Sequence, residues 1–238
     1  MDVIMIRLDK YLADMSVGTR TEVKKLIRQG KVAVDGLIVK NPDVKIDIDT
    51  QSVTCNGIAV TYETYEYYML NKPAGVISAT SDSKEKTVLD LIDNKKRKDL
   101  FPVGRLDKDT EGLLLITNDG ELAHRLLSPK KHVDKLYYAK VEGTVGMEDI
   151  DAFAKGLDIG EGEYTKPAKL IVLKSDVISE IELTIQEGKF HQVKRMFEAV
   201  GKKVIYLKRL EMGTLKLDEG LALGEYRPLT QKEIEELC

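Results

Sequence analysis

The chain has 238 residues, 42% hydrophobic and 32% charged, which suffices for a packed core and excludes a low-complexity or disordered protein. Its formal charge of −3 weighs against nucleic-acid binding unless the basic residues gather on particular faces. Cys55 and Cys238 form no metal or redox spacing and fit a reduced, cytoplasmic setting; the start from Met1 to Arg7 is too soon charged for a signal peptide, and no apolar run is long enough to span a membrane.

Leu8, Tyr11, Leu12 and Met15 fall at helical spacing, and Gly18 is placed to close that helix. Thr19-Arg20-Thr21-Glu22 is a capping box that predicts a second helix, with Val23, Leu26 and Ile27 as its apolar stripe and Gly30 at its end. Asp35-Gly36, between the runs 31–34 and 37–39, is the two-residue signal of a tight hairpin. Off the apolar stripe, Arg20, Lys24, Arg28 and Lys31 recur near helical spacing with Lys25 alongside, and Glu22 is the one acid within the helix. A basic helical face is often merely solvated; one with so little neutralising charge is expected to meet phosphates.

Residues 1–58 thus read as one compact unit, 59–66 as a connector where periodicity lapses, and 67–238 as a second domain. Tyr67–Leu70 leads into the turn Asn71-Lys72-Pro73-Ala74-Gly75. Gly112–Ile116 is a short continuous apolar run, as in a buried strand. Ile181, Leu183 and Ile185 alternate with polar residues, which predicts a strand buried on one side. Val193, Met196, Phe197 and Val200 mark an amphipathic helix stopped by Gly201. Strands and helices do not alternate regularly, so the expected class is α+β, with a mixed, largely antiparallel sheet in the second domain.

The most unusual segment is Gly104-Arg105-Leu106-Asp107-Lys108-Asp109-Thr110-Glu111-Gly112, three carboxylates and two cations in a polar loop just before the buried strand. Such a loop is a common seat of catalytic groups, although alone it reads equally as a charged surface turn.

Arg7-Leu8-Asp9-Lys10-Tyr11-Leu12, Thr19-Arg20 and the stretch from Gly30-Lys31-Val32 to Asp35-Gly36 resemble the alpha-L RNA-binding domain. Gly104-Arg105-Leu106-Asp107, Asp109-Thr110, Gly112–Leu115 and Thr117–Gly120 resemble the signature of RsuA-type pseudouridine synthases. Leu70–Pro73, Lys135-Leu136-Tyr137, Gly188–Met196 and Gly224–Leu229 agree with it in the same order. The resemblance implies isomerisation of a uridine in ribosomal RNA, most readily small-subunit RNA, bare or within an assembly intermediate, by a monomer.

Pseudouridine formation breaks the bond from uracil N1 to the ribose, turns the base and rejoins it through C5. Nothing is gained, lost or oxidised overall, so neither cofactor nor metal is expected. The sequence carries no nucleotide-binding glycine loop, and His124, His132 and His191 lack zinc-type spacing. The resemblance assigns the essential carboxylate to Asp107, whose route stays open: attack on the ribose, addition to the base, or removal of a ribose proton. It assigns the active-site aromatic to Tyr137, which in strand context could equally be packing.

Lys194 matches the basic partner of the aspartate. Many relatives carry arginine there, and a lysine supplies a point charge where arginine supplies a planar fork. Arg105 matches a residue associated with filling the stack left by a flipped base. Lys189 and Arg195 are expected to contact phosphate, and Lys202, Lys203, Lys208 and Arg209 extend this basic theme. Three other readings compete: a pseudouridine synthase acting on large-subunit ribosomal RNA, a non-catalytic RNA-binding or ribosome-assembly factor on the same fold, and a metal-dependent nuclease using the acidic loop.

Overall fold

The structure is a computed structural model describing residues 4–128 and 131–237; Cys238 and the first three residues lie outside them. The backbone forms two units. One runs to Glu66 and adds Asn94–Leu100; the other comprises Tyr67–Asp93 and the chain from Phe101 onward.

The first unit contains β1 (Met5–Arg7), α1 (Leu8–Asp14), α2 (Arg20–Arg28), β2 (Val32–Val34), β3 (Leu37–Ile38), β4 (Lys45–Asp47), β5 (Val53–Cys55) and β6 (Ile58–Ala59). Strand β1 pairs antiparallel with β4, and a small sheet runs β3-β2-β5-β6. Leu8, Tyr11 and Leu12 of α1 pack with Val23 and Ile27 of α2 and with Val32, Ile46 and Val53. The expected capping box is formed: Glu22 N donates to Thr19 Oγ1 (3.3 Å) and Thr19 N to Glu22 Oε2 (2.6 Å). Asp35 and Gly36 have φ of 49° and 78°, the left-handed pair that a tight hairpin requires. Helix α1 ends earlier than Gly18 suggests. Ser16 takes the left-handed position (φ 59°), and Val17 N reaches back to Leu12 O (3.1 Å).

The stretch 59–66, expected as a connector, is packed into this unit. Tyr11 Oη donates to Val60 O (2.7 Å), and Tyr62 Oη donates to Asp14 Oδ2 (2.8 Å). Its anchors are single side chains, which leave no periodicity to read. Residues 94–100 join the same unit through Arg97. Its buried guanidinium donates to Tyr62 Oη (3.1 Å), Glu63 O (3.3 Å) and both Asp99 oxygens (2.9 and 2.6 Å), while its backbone N–H donates to Glu66 Oε2 (2.7 Å).

The second unit follows as β7 (Tyr67–Lys72), a 3-10 turn (Val88–Leu91), β8 (Phe101–Pro102), β9 (Glu111–Thr117), α3 (Gly120–Leu127), β10 (Lys135–Glu142), α4 (Met147–Lys155), β11 (Lys169–Lys174), β12 (Ile178–Ile185), α5 (Gln192–Ala199), β13 (Lys203–Met212), β14 (Leu215–Lys216), β15 (Tyr226–Pro228) and α6 (Gln231–Leu237). The sheet order is β11-β12-β10-β13-β9-β7-β15, with β8 on β9 and β14 on β13. Every pairing is antiparallel except β13 with β9, so this is the expected mixed sheet of an α+β domain.

The parallel junction lies at the start of β9, where the acidic loop ends. There Gly112 (φ +100°) lies opposite Arg209, and a Cβ on it would sit 2.2 Å from Arg209 O and 2.8 Å from Arg209 N. Only a glycine lets the two backbones approach so closely. Strand β9 is buried along nearly its whole length, and α5 packs on β13. The acidic loop enters β9, and the 187–191 loop enters α5. Among the described residues no helix is long and apolar enough to cross a membrane.

Candidate active site

The acidic loop is held by its backbone. Lys72, at the end of β7, is fully buried, and its ammonium donates to the carbonyls of Pro73 (3.0 Å), Asp107 (3.0 Å) and Thr110 (2.8 Å). Ser78 Oγ donates to Leu106 O (2.8 Å) while accepting from Leu106 N (3.0 Å), and Gly75 N donates to Lys108 O (2.7 Å). Burial pulls the Lys72 ammonium down to about 8, against the opposing pull of Asp109, Asp107 and Glu111. Lys72 is a positioning residue that sequence reasoning passed over. Its signal was a lysine closing a strand whose preceding residues are mostly apolar or aromatic.

So held, Asp107 presents a partly exposed carboxylate to a cleft lined also by Arg105, Thr110, Tyr137, Ile185, Lys189, His191, Lys194 and Leu207. Lys194, on the first turns of α5, reaches across with Nζ 3.1 Å from Asp107 Oδ2 and 2.6 Å from Asp109 Oδ1. Burial lowers the Lys194 ammonium, but the Asp109 and Asp107 carboxylates outweigh it and hold its pKa above the ordinary lysine value. The same pair acts in reverse on Asp109, where burial pushes upward and Lys194 draws the carboxyl below its usual range. Asp109 therefore shares the cation, while Glu111 turns away and accepts from Tyr206 Oη (2.7 Å).

Tyr137 comes from β10, opposite Leu183 on one side and Arg209 on the other. Its ring is largely buried in the cleft wall, and its hydroxyl has no hydrogen-bond partner among the described residues. Arg105 is exposed on the cleft. His191 was weighed in the sequence only as a metal ligand; its Nε2 lies 3.6 Å from Asp107 Oδ1. Among the described residues no cluster of three His, Cys, Asp or Glu is placed to hold a metal ion.

The cations expected to meet phosphate differ in how far their charge is already engaged within the protein. Arg195 has donors committed to Ile159 O (3.0 Å), Gly160 O (3.2 Å), Phe190 O (3.2 Å) and Glu163 Oε2 (2.6 Å), so its guanidinium ties loops together. Arg209 is 2% exposed and donates to Leu113 O (2.8 Å), a core strut and not part of a basic surface. Lys202 pairs with Asp149 (2.7 Å), and Lys189 keeps a loose pair with Glu163 (3.7 Å) while still lining the cleft. In the first unit Lys24 leans toward Asp9 (3.6 Å). Arg20, Lys25, Arg28 and Lys31 are exposed, with no carboxylate within ion-pair distance among the described residues.

Comparison with known proteins bears on the family of the chain. The family model described as RNA pseudouridylate synthase matches residues 66–199, and that of the S4 domain matches residues 6–52. The uncharacterized RNA pseudouridine synthase YtzG of Bacillus subtilis (strain 168) is 52% identical over 96% of this chain and 97% of its own. Ribosomal small subunit pseudouridine synthase A of Haemophilus influenzae is 42% identical over 98% of this chain and 99% of its own. Ribosomal large subunit pseudouridine synthase B of Bacillus subtilis (strain 168) is 44% identical over 98% and 96%. A solved structure described as that of a pseudouridylate synthase superposes with a TM-score of 0.69 at 42% identity, covering 98% of this chain and all of the other. A matched model over more than half of the chain, and relatives aligned along nearly all of it, establish that the chain belongs to the RNA pseudouridylate synthase family.

Proposed function

We propose that this pseudouridine synthase acts on a uridine of small-subunit ribosomal RNA, with Asp107 as the essential carboxylate, Tyr137 as the aromatic that meets the uracil, and Lys194 as the cation paired with Asp107. The observation that carries the reading is the Asp107–Lys194 pair at 3.1 Å in a cleft that Tyr137 also lines. Breaking the N1–ribose bond builds positive charge on the sugar, and a carboxylate fixed by its backbone stabilises that charge without reorganising. The uracil then rejoins through C5, the C5 proton leaves, and one proton is taken up at N1. Stacking on the Tyr137 ring suits a base taken out of its helix.

Exposed Arg20, Lys25, Arg28 and Lys31 supply phosphate contacts from the first unit, and Arg105 and Lys189 supply them beside the cleft. Every group invoked comes from one copy of the chain, so a monomer in the cytoplasm suffices, on bare RNA or on an assembling small subunit.

The test is tritium release from C5-labelled uridine in a precursor small-subunit RNA. Wild-type protein should release label and Asp107→Asn should not, with RNA affinity nearly unchanged. Wild-type protein that binds but never releases label would favour a non-catalytic factor, and activity that survives a chelator would rule out a metal-dependent nuclease. The 44% identity to a large-subunit enzyme supports a second reading, a site in large-subunit RNA. Mapping pseudouridines in both ribosomal RNAs from cells lacking the protein separates the two.

A further inference from the structure

Phe190 is 69% exposed, yet it sits on a loop with little freedom. Lys189 N donates to Gln192 Oε1 (2.9 Å), Gln192 Nε2 donates to Glu187 Oε1 (3.0 Å), and Arg195 Nη1 donates to Phe190 O (3.2 Å). Next to it His191 adopts the left-handed backbone region (φ 48°, ψ 32°), uncommon for any residue but glycine and a frequent mark of functional turns. This turn lays the imidazole face to face on the Phe190 ring, with centroids 3.8 Å apart and planes 21° apart. The same imidazole approaches Asp107 to 3.6 Å. A pinned loop thus displays an aromatic surface at the mouth of the cleft, where water would otherwise disfavour it.

We propose that the Phe190–His191 pair is a stacking shelf for the nucleobase adjacent to the target uridine. The inference rests on Asp107 being the reacting carboxylate. A uridine whose ribose meets Asp107 has its neighbour one nucleotide away, and the shelf begins one side chain away. Stacking engages the face that every base has, so the shelf selects an unpaired, unstacked neighbour while tolerating its identity. Arg105 and Lys189, which line the same cleft, are placed to take the intervening phosphates.

The test uses the full-length chain and an RNA fragment around the uridine mapped in a small-subunit transcript, with tritium release giving KM and kcat separately. Phe190→Ala should raise KM about tenfold or more, with the smaller share of the loss in kcat, and Phe190→Trp should restore it. An abasic nucleotide on one side of the uridine should cost the wild-type protein a similar factor and cost Phe190→Ala nothing further. Equal abasic penalties in both proteins, or a loss confined to kcat that tryptophan does not rescue, would overturn the shelf and leave Phe190 a packing residue. If wild-type protein releases no label from any transcript, the assignment of Asp107 falls, and the shelf with it; the two failures are therefore distinct.

Discussion

Helices α2 and α5 carry similar cations beside similar apolar stripes, and the folded protein uses them in opposite ways. On α2, Arg20, Lys25 and Arg28 face solvent with no carboxylate within ion-pair distance among the described residues. On α5, Lys194 is divided between Asp107 and Asp109, and Arg195 is spent on three carbonyls and Glu163. A cation free of partners can neutralise phosphates and release counterions. A cation already paired shapes a site, because removing it strands the carboxylates around it. The difference lies in the neighbours, not in the helices.

The largest expected effect comes from breaking the pairing on α5. Lys194→Met should lower turnover about a hundredfold, the scale for losing one electrostatic group at a reacting centre, while changing RNA affinity little. Single-turnover rates beside filter-binding constants would check this; an affinity loss as large as the rate loss would move Lys194 to the phosphate-binding class.

The matching change on α2 should do the reverse. Arg20→Gln, Lys25→Gln and Arg28→Gln combined should weaken RNA binding roughly tenfold or more at moderate salt. They should flatten the dependence of log affinity on log salt by about 2–3, with turnover at saturating RNA preserved. An unchanged salt slope would show that this face is merely solvated.

Arg195→Met sharpens the comparison from within α5. With three carbonyls left without their donor, unfolding free energy should drop by about 1–3 kcal/mol in a urea titration, and the salt slope of RNA binding should stay put. A shallower slope would restore Arg195 as a phosphate contact.

The smallest expected effect concerns Lys72, a cation spent wholly on backbone. Its folded pKa of about 8 lies below the ordinary lysine value of 10.5, so the folded protein sheds this proton first as pH rises. Between those values the unfolded chain binds more protons, and this group makes stability rise with pH. Turnover should meanwhile decline several-fold along a limb near pH 8, as the loop carrying Asp107 loses a charged donor. A pH–rate profile beside denaturant titrations at the same pH values would reveal the divergence. A flat rate through pH 9.5 would dissociate Lys72 from the loop's function.

Much of the molecule was legible in the chain because its signals are local. The Thr19–Glu22 box, the Asp35-Gly36 hairpin, the buried run of β9 and the alternation of β12 each encode their structure within a few residues. Resemblance in ordered blocks brought Asp107, Tyr137 and Lys194 into one list, and the fold brings them to one cleft. Arg209 read as part of a basic surface because an exposed and a buried arginine look identical in sequence, and the acceptors of Arg195 at Ile159, Gly160 and Glu163 are equally silent there. Lys72 and His191 were missed because each acts through a partner far along the chain, at Thr110 and at Asp107. The excursion 94–100 read as part of the second domain, since nothing near Arg97 in sequence announces Tyr62 or Glu63 as its acceptors.

By itself, then, the sequence determined the class of fold, the family blocks and the elements with short-range signatures, because capping, turn chemistry and hydrophobic period act between near neighbours. Only the tertiary structure decided which cations are free and which are spent, and how an ammonium buried under the loop fixes the carboxylate above it. Charge pairing and burial depend on what lies across space, and a residue type carries no record of that.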